Sequence, residues 1–337
     1  MTRDLVKKII PRSVLIFRVN LLALLSVVKL AMRDVFVYVK YAQVLNKDLT
    51  VANIEASLIA NCHSIERGLS LSNVRLRFGG ANIDRIIQLL NIRLNMVNDK
   101  CDHIHRMAIG VLDAYINYHE TKGVSLPELI LKTRELSGPC AGAPVVNSGT
   151  KRILKSDWTV SQSSDFGVFA RNRFSIRNFS SIPVENEVLY KAINLAQRAP
   201  SVCNRQSSRV YIVYGCALDK ILAIHNGIRG FEQHIHKILV VTSEVQSFFG
   251  ATERHQPFID GGIFLMSLVY ALQYYSVGTC TINWAVDIAR DKQLKMSLGL
   301  PDSQEIIAMI VVGNVPDEFN VACSERLDTN EIIKTIN

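Results

Sequence analysis

"GGIFLMSLVYALQYYS", residues 261–276, is apolar almost all the way round a helical projection. A helix of this kind offers water no face, so it must be buried on every side, in a large core or in a subunit interface. Around it the sequence alternates between helix and strand patterns. "EVLYKAINLAQRA" puts Leu189, Ala192, Ile193 and Ala196 on one helical face, after Pro183, Glu185 and Glu187, which suit a helix start. Three short β-rich runs follow: "RVYIVY" (209–214), "KILVVTS" (237–243) and "IIAMIVVGNV" (306–315). A layered α+β or α/β domain is expected, with a mixed sheet and the 261–276 helix at its centre.

Toward the N-terminus the pattern changes. Between Ser137 and Ser164 it dissolves into "SGPCAGAPVVNSGTKR" and "TVSQSS", rich in Gly, Pro, Ser and Thr, which reads as a linker. Before the linker, "ANIDRIIQLLNIRLNMV" (81–97) spaces Ile83, Ile86, Ile87, Leu90, Leu94 and Val97 as an amphipathic helix does. "HIHRMAIGVLDAYINYH" (103–119) repeats the spacing with Ile104, Met107, Ala108, Val111, Leu112 and Tyr115. No strand alternation intervenes, so a helical bundle is expected. The chain of 337 residues is long enough for two cores. The expected organisation is an all-α N-terminal domain over 1–136, a linker over 137–164, and an α+β domain over 165–337 with a mixed sheet surrounded by helices.

The seven cysteines (62, 101, 140, 203, 216, 280 and 323) are odd in number, scattered, and never paired as CxxC. They read as small buried hydrophobes in a reducing cytoplasm, not as a disulfide frame or a zinc site. His103/His105 and His234/His236 are two apart, which on a helix turns them to different faces and argues against a shared metal. The net charge is +8, and the first fifty residues hold nine Lys/Arg against three Asp/Glu. The remainder is near neutral, which excludes a chain-wide nucleic-acid surface.

That basic N-terminal stretch includes "SVLIFRVNLLALLSVVKLAM" (13–32), which has the length of a membrane span. Arg18 and Lys29 interrupt it, each at a cost of about 2.5–3.5 kcal/mol near a bilayer centre. A secretory signal fits poorly, because no small-residue cleavage pattern follows the apolar run. On a continuous helix over 18–40, Arg18, Lys29, Arg33 and Lys40 fall within a stripe about 60° wide. This predicts a basic amphipathic helix whose charged face meets water, an anionic membrane surface or a partner protein. The expected location is the cytoplasm, with peripheral contact to the inner membrane face.

Two stretches carry chemistry. In "RNRFSIRNF" (171–179), Arg173, Ser175 and Arg177 occupy alternate positions, with Phe174 and Ile176 between them. In an extended chain the two guanidinium groups and the hydroxyl project together while Phe174 and Ile176 face inward. Forked, always-charged donors suit a phosphate, though a solvated basic edge has the same spacing. In "APSVCNRQSSRVYIV" (199–213), Pro200 stops a helix, and Ser201, Asn204 and Gln206 lie on the loop entering a strand. The Asn204 and Gln206 amides both donate and accept, which suits a planar heterocycle; an ordinary polar turn is the alternative.

The ordered set of motifs resembles the nitroreductase family of FMN-dependent oxidoreductases. It comprises R-x-S-I-R-N-F, A-P-S-x-x-N-x-Q, Asp260 heading the long apolar helix, the late strand IVVGNVP and a trailing Arg326. The resemblance covers about residues 166–337. It implies a nitroreductase-like fold and an intertwined homodimer with FMN at the subunit interface. Arg173, Ser175 and Arg177 would then hold the FMN phosphate and ribityl region, with Arg326 adding a basic contact. Ser201, Asn204 and Gln206 would lie along the ring and ribityl chain, and the backbone N–H groups of Asn283 and Trp284 near flavin N1 and O2. The implied activity is hydride transfer from NAD(P)H, through flavin N5, to a small-molecule acceptor, with no side chain acting as nucleophile. This chain departs from the family at Gln206-Ser207-Ser208, where many relatives read Gln-Pro-Trp, and at Asn283-Trp284, where several read Glu-Gly.

"NCHSIERGLSL" (61–71) followed by "RLRFGG" (75–80) resembles a signature of long nitroreductase-like proteins encoded near exopolysaccharide and capsule genes, which implies a link to polysaccharide biosynthesis. His63, Glu66 and Arg67 form either a polar site or an intrahelical pair with Gly68 as a capping glycine. Two other functions stay open: a flavin-dependent oxidase or dehydrogenase of a bound metabolite, and a non-enzymatic dimeric scaffold with a vestigial flavin site.

Overall fold

The computed structural model describes residues 11–41, 50–143, 146–160 and 163–336. Helix α1 (Arg12–Tyr41) is followed by four helices that pack together: α2 (Val51–Leu69), α3 (Gly80–Leu94), α4 (His103–Thr121) and α5 (Pro127–Ser137). Local chemistry sets their starts. Thr50 and Asn53 form a reciprocal capping box on α2, and Asp102 accepts the His105 N–H to open α4. The periodic apolar positions meet in one core around Leu58, Ile65, Ile86, Leu90, Val111 and Leu112, all fully buried. Arg93, 1% exposed, ties three of the helices by pairing with Glu55 and Asp102.

Three features of this half differ from expectation. Gly68 does not cap α2, which runs on to Leu69 and is capped by Ser70. It sits within the helix because a Cβ there would come 2.0 Å from the Phe78 ring. Cys101 and Cys140 form a disulfide, against the expectation that every cysteine is a lone thiol. The two are 39 residues apart, and only the packing of α4 against α5 brings their Cα atoms to 5.1 Å. The supposed linker carries strand β1 (Thr150–Leu154) and helix α6 (Lys155–Val160), and α7 (Phe166–Arg171) follows just beyond it. β1 pairs antiparallel with β6 (Glu318–Ala322), a partner so distant in sequence that the strand has no local signature.

The second half runs α8 (Asn186–Ala196), β2 (Ser208–Val213), α9 (Cys216–Ile224), β3 (Lys237–Glu244), α10 (Gln256–Tyr274), β4 (Gly278–Asn283), α11 (Ile288–Leu298), β5 (Gln304–Gly313), β6 and α12 (Thr329–Ile332). The sheet order is β2-β3-β5-β4. Every hydrogen-bonded pair in it is antiparallel, where the sequence reading has a mixed sheet. The α10 crossover does join two strands of the same direction, β3 and β4. β5 inserts between them and removes the parallel pairing. β3 is buried on both faces: Ile238 and Val240 point into one core with Ile221 and Leu294, and Leu239 and Val241 into another with Leu189 and Leu268. The result is three layers, with α8 and α10 on one side of the sheet and α9 and α11 on the other.

α10 meets only half of its expected burial within this chain. Phe264, Leu268 and Leu272 pack inward, while Phe258, Ile259, Ile263 and Met266 are 38–51% exposed. α1 meets the remainder of the chain beside the start of α10, where the Asp34 carboxylate accepts from Arg254 (2.6 and 2.7 Å) and His255 (3.1 Å). The Arg254 guanidinium holds the Asp34 carboxyl down to about 2. The apolar side chains of α1 are exposed, and Arg12–Phe36 is long and apolar enough to cross a membrane. The Lys40 side chain of the predicted basic stripe lies outside the described residues.

Candidate functional site

The segment after α7 runs extended beside β4, with the Ile176 N–H donating to the Thr279 carbonyl at 2.8 Å. Ile176 and Phe179 are buried in the core, and Phe179 lies so close to the sheet that a Cβ on Gly313 would sit 2.5 Å from its ring. The alternation read from the sequence therefore holds at Ile176, and it turns Arg173 and Ser175 to the opposite side. Both line a cavity of about 730 Å³, together with Arg171, Tyr270, Ser324 and Arg326. Phe174 packs against the core and also borders this cavity.

Arg177 opens into a neighbouring cavity of about 400 Å³, lined also by Thr281, Asn283, His63, Ser64 and Arg67. His63 borders both spaces. Burial pushes the Arg173 guanidinium below its ordinary range, and the like charge of Arg326 adds to this. Burial does the same to Arg177, with Arg67 pushing in the same direction. Among the described residues, neither Arg173, Arg177 nor Arg326 forms a salt bridge with a carboxylate. Glu325 also lines the larger cavity but forms no salt bridge with these cations among the described residues, and a phosphate or carboxylate matches their forked donors.

The second cluster is built differently. Asp260, 3% exposed on α10, accepts the Val202 N–H (3.0 Å) and the Gln256 amide (2.8 Å), which anchors the loop before β2. Arg205 clamps the other side of the loop with two bonds to Glu253 (2.7 and 2.9 Å) and stacks 4.1 Å from the Phe249 ring centroid. Between these anchors Cys203, Asn204 and Gln206 all adopt positive φ, a conformation that costs non-glycine residues energy and gathers at functional sites. The Gln206 N–H donates to Ser201 Oγ at 3.0 Å. Ser201 and Gln206 line a separate cavity of about 160 Å³ with Gln197, Asp260 and Phe264, and Asn204 is exposed outside it. Within one chain, then, the cationic residues and the loop amides face different spaces.

Asn283 ends β4, and its carbonyl accepts from His225 Nε2 at 2.7 Å. His225 Nδ1 accepts the Gly227 N–H (2.9 Å), so Nε2 carries the ring proton. The Trp284 side chain turns away from Asn283, donating from Nε1 to Asp291 (2.8 Å) beside another cavity lined by Asp287 and Lys292.

The residues that sequence reasoning left undecided are those of α2. Glu66 makes no intrahelical pair: its carboxylate, 3% exposed, accepts the Gly149 N–H (2.9 Å) and the Ser324 N–H (3.1 Å). His63 Nδ1 lies 3.2 Å from Ser324 Oγ. Ser324 has φ +46°, and its carbonyl accepts from Arg326. The helical half thus holds the tail that carries Arg326. The signal was the cluster of His63, Glu66 and Arg67, but its partners lie far away in sequence.

Residues 170–314 match the model of the nitroreductase family. Solved structures similar to this chain include a nitroreductase family protein from Clostridium difficile 630, 18% identical over 51% of this chain and 98% of that one, TM-score 0.42. Another is a nitroreductase family protein from Clostridium novyi NT, 23% identical over 46% and 87%, TM-score 0.40. A third is an FMN-dependent nitroreductase from Clostridium difficile R20291, 19% identical over 44% and 86%, TM-score 0.39. No curated protein sequence matches the chain.

Proposed function

We propose that this chain, whose residues 170–314 form a nitroreductase-family domain, is an FMN-dependent oxidoreductase that passes hydride from NAD(P)H to a small-molecule acceptor. One observation carries the reading: Arg173, Ser175 and Arg326, drawn from two distant segments, line one cavity of about 730 Å³, and among the described residues no carboxylate, that of neighbouring Glu325 included, forms a salt bridge with either arginine. That donor set fits a phosphate monoester. Arg173 and Arg326 would hold the phosphate, Ser175 the ribityl chain, and Arg177 and Asn283 would border the ring. When bound, FMN supplies a ring that accepts and returns hydride, and the protein contributes binding, orientation and fixed positive charge.

The active form is a homodimer. The exposed stripe Phe258, Ile259, Ile263 and Met266 on α10 supports this, because it is a contiguous apolar face beside the loop that carries Ser201, Asn204 and Gln206. In the dimer that loop comes from the partner subunit and completes the site, which is why a single chain keeps the two clusters apart. The exposed apolar helix α1, with its basic residues, supports a peripheral contact with the cytoplasmic face of a membrane. The resemblance of residues 61–80 to proteins encoded near exopolysaccharide genes supports a link between its acceptor and polysaccharide biosynthesis.

Anaerobic stopped-flow mixing of the FMN-loaded protein with NADH or NADPH is expected to bleach the visible flavin band within seconds. A band that stays unbleached by both nucleotides, yet is bleached by another reductant, excludes the NAD(P)H reading and favours an oxidase or dehydrogenase of a bound metabolite.

A further inference from the structure

We infer that His63, Ser64 and Arg67 of α2 join Arg177 in an anion-binding site, contributed by the helical half of the chain to the wall of the cofactor cavity. The inference rests on the flavin reading and goes beyond it, because residues 63–67 lie outside the 170–314 segment that matches the family. The space between these side chains is about 400 Å³, and no carboxylate lines it. Arg177 is 8% exposed, and its hydrogen bond within the chain is a long one, 3.4 Å to the Ser175 carbonyl. Arg67 has no salt bridge among the described residues, and the two guanidinium groups push against each other. Burial and three guanidinium groups, those of Arg177, Arg67 and Arg326, hold the His63 imidazole below its ordinary pKa. A buried guanidinium without a counterion is costly, and an oxyanion bridging Arg67 and Arg177 relieves that cost.

The placement is enforced rather than accidental. Ala60, Ser64, His63 and Arg67 form two i,i+4 rows on one face of α2, and the residues on the other side lock its rotation. Glu66 holds two backbone N–H groups, and Gly68 lets the Phe78 ring pack directly on the helix backbone. The chemistry required is a delocalised oxyanion. It can belong to a carboxylate or phosphate on the electron acceptor, or to the electron-rich edge of reduced FMN itself.

The test compares full-length wild type, Arg67→Gln and Arg67→Lys, each loaded with FMN, using 4-nitrobenzoate and its neutral methyl ester as probe acceptors. The affinity for oxidised FMN and the thermal midpoint are expected to change little, within about threefold for the affinity. If the acceptor supplies the anion, the preference in kcat/KM for the carboxylate over the ester falls about tenfold in Arg67→Gln and is retained in Arg67→Lys. If reduced FMN supplies it, that preference is unchanged and the midpoint potential of the bound flavin drops by about 30 mV, the equivalent of a tenfold change for two electrons. An Arg67→Gln protein that binds FMN and shifts neither quantity overturns the site. A wild type that takes up no FMN overturns the flavin reading and this inference with it.

Discussion

Glu66 lines neither cationic cavity, yet it fixes the backbone at both Gly149 and Ser324 and thereby the tail bearing Arg326. Burial pushes its carboxyl above the ordinary 4.5, against the two N–H groups that pull it down. A raised folded-state pKa means that this residue's contribution to stability is complete below pH 4.5 and is lost as pH rises through the raised value. Glu66→Gln removes the titrating group and leaves one of the two N–H groups facing an amide NH₂, at a cost of about 1–3 kcal/mol. Urea unfolding from pH 4 to 8 is expected to show a falling slope for wild type that Glu66→Gln lacks, and FMN affinity is expected to drop with the loosened tail. At this scale the sequence was readable where a pattern is local: the alternation at 173–177 put Arg173 and Ser175 in one cavity, but Arg177, expected beside them, opens into the neighbouring one. It was not readable for Arg67, because nothing in a helix says which distant segment its cation will face.

α10 shows how far an element can be read. Its uniform apolarity required burial on every side, and one chain supplies that burial on the inner face only. The outer stripe centred on Ile263 is where the proposed second copy would pack. Ile263→Glu would place a charge in that interface while leaving the inner packing of Phe264 and Leu268 untouched. Sedimentation is expected to find a dimer for wild type and a monomer for the variant, with FMN affinity reduced at least about tenfold, the loss of roughly 1.4 kcal/mol. A variant that remains dimeric excludes this face. Elements with strong internal periodicity were legible throughout: α3, α4, α8, β2, β3 and β5 all form where the pattern put them. β1, β4 and β6 were not, because each is defined by its pairing, not by an apolar run of its own side chains. The same limit hid the Cys101–Cys140 disulfide, whose partners are adjacent only after α4 and α5 pack.

For the whole molecule, a helical half docks on a layered α+β half and contributes side chains and a latch to its cationic cavities. The division into helical and α+β halves could be read from periodicity alone, but their cooperation could not. What unites the account is the claim that Arg173, Ser175 and Arg326 hold the phosphate end of a flavin. A titration comparing FMN with riboflavin, which shares the ring and ribityl chain but lacks the phosphate, tests this most directly. Flavin fluorescence is expected to be quenched by the wild type with one FMN bound per chain, with riboflavin bound at least about tenfold more weakly, and that difference is expected to vanish in Arg173→Ala/Arg326→Ala. Equal affinity for the two flavins, or an absence of quenching by either, contradicts it.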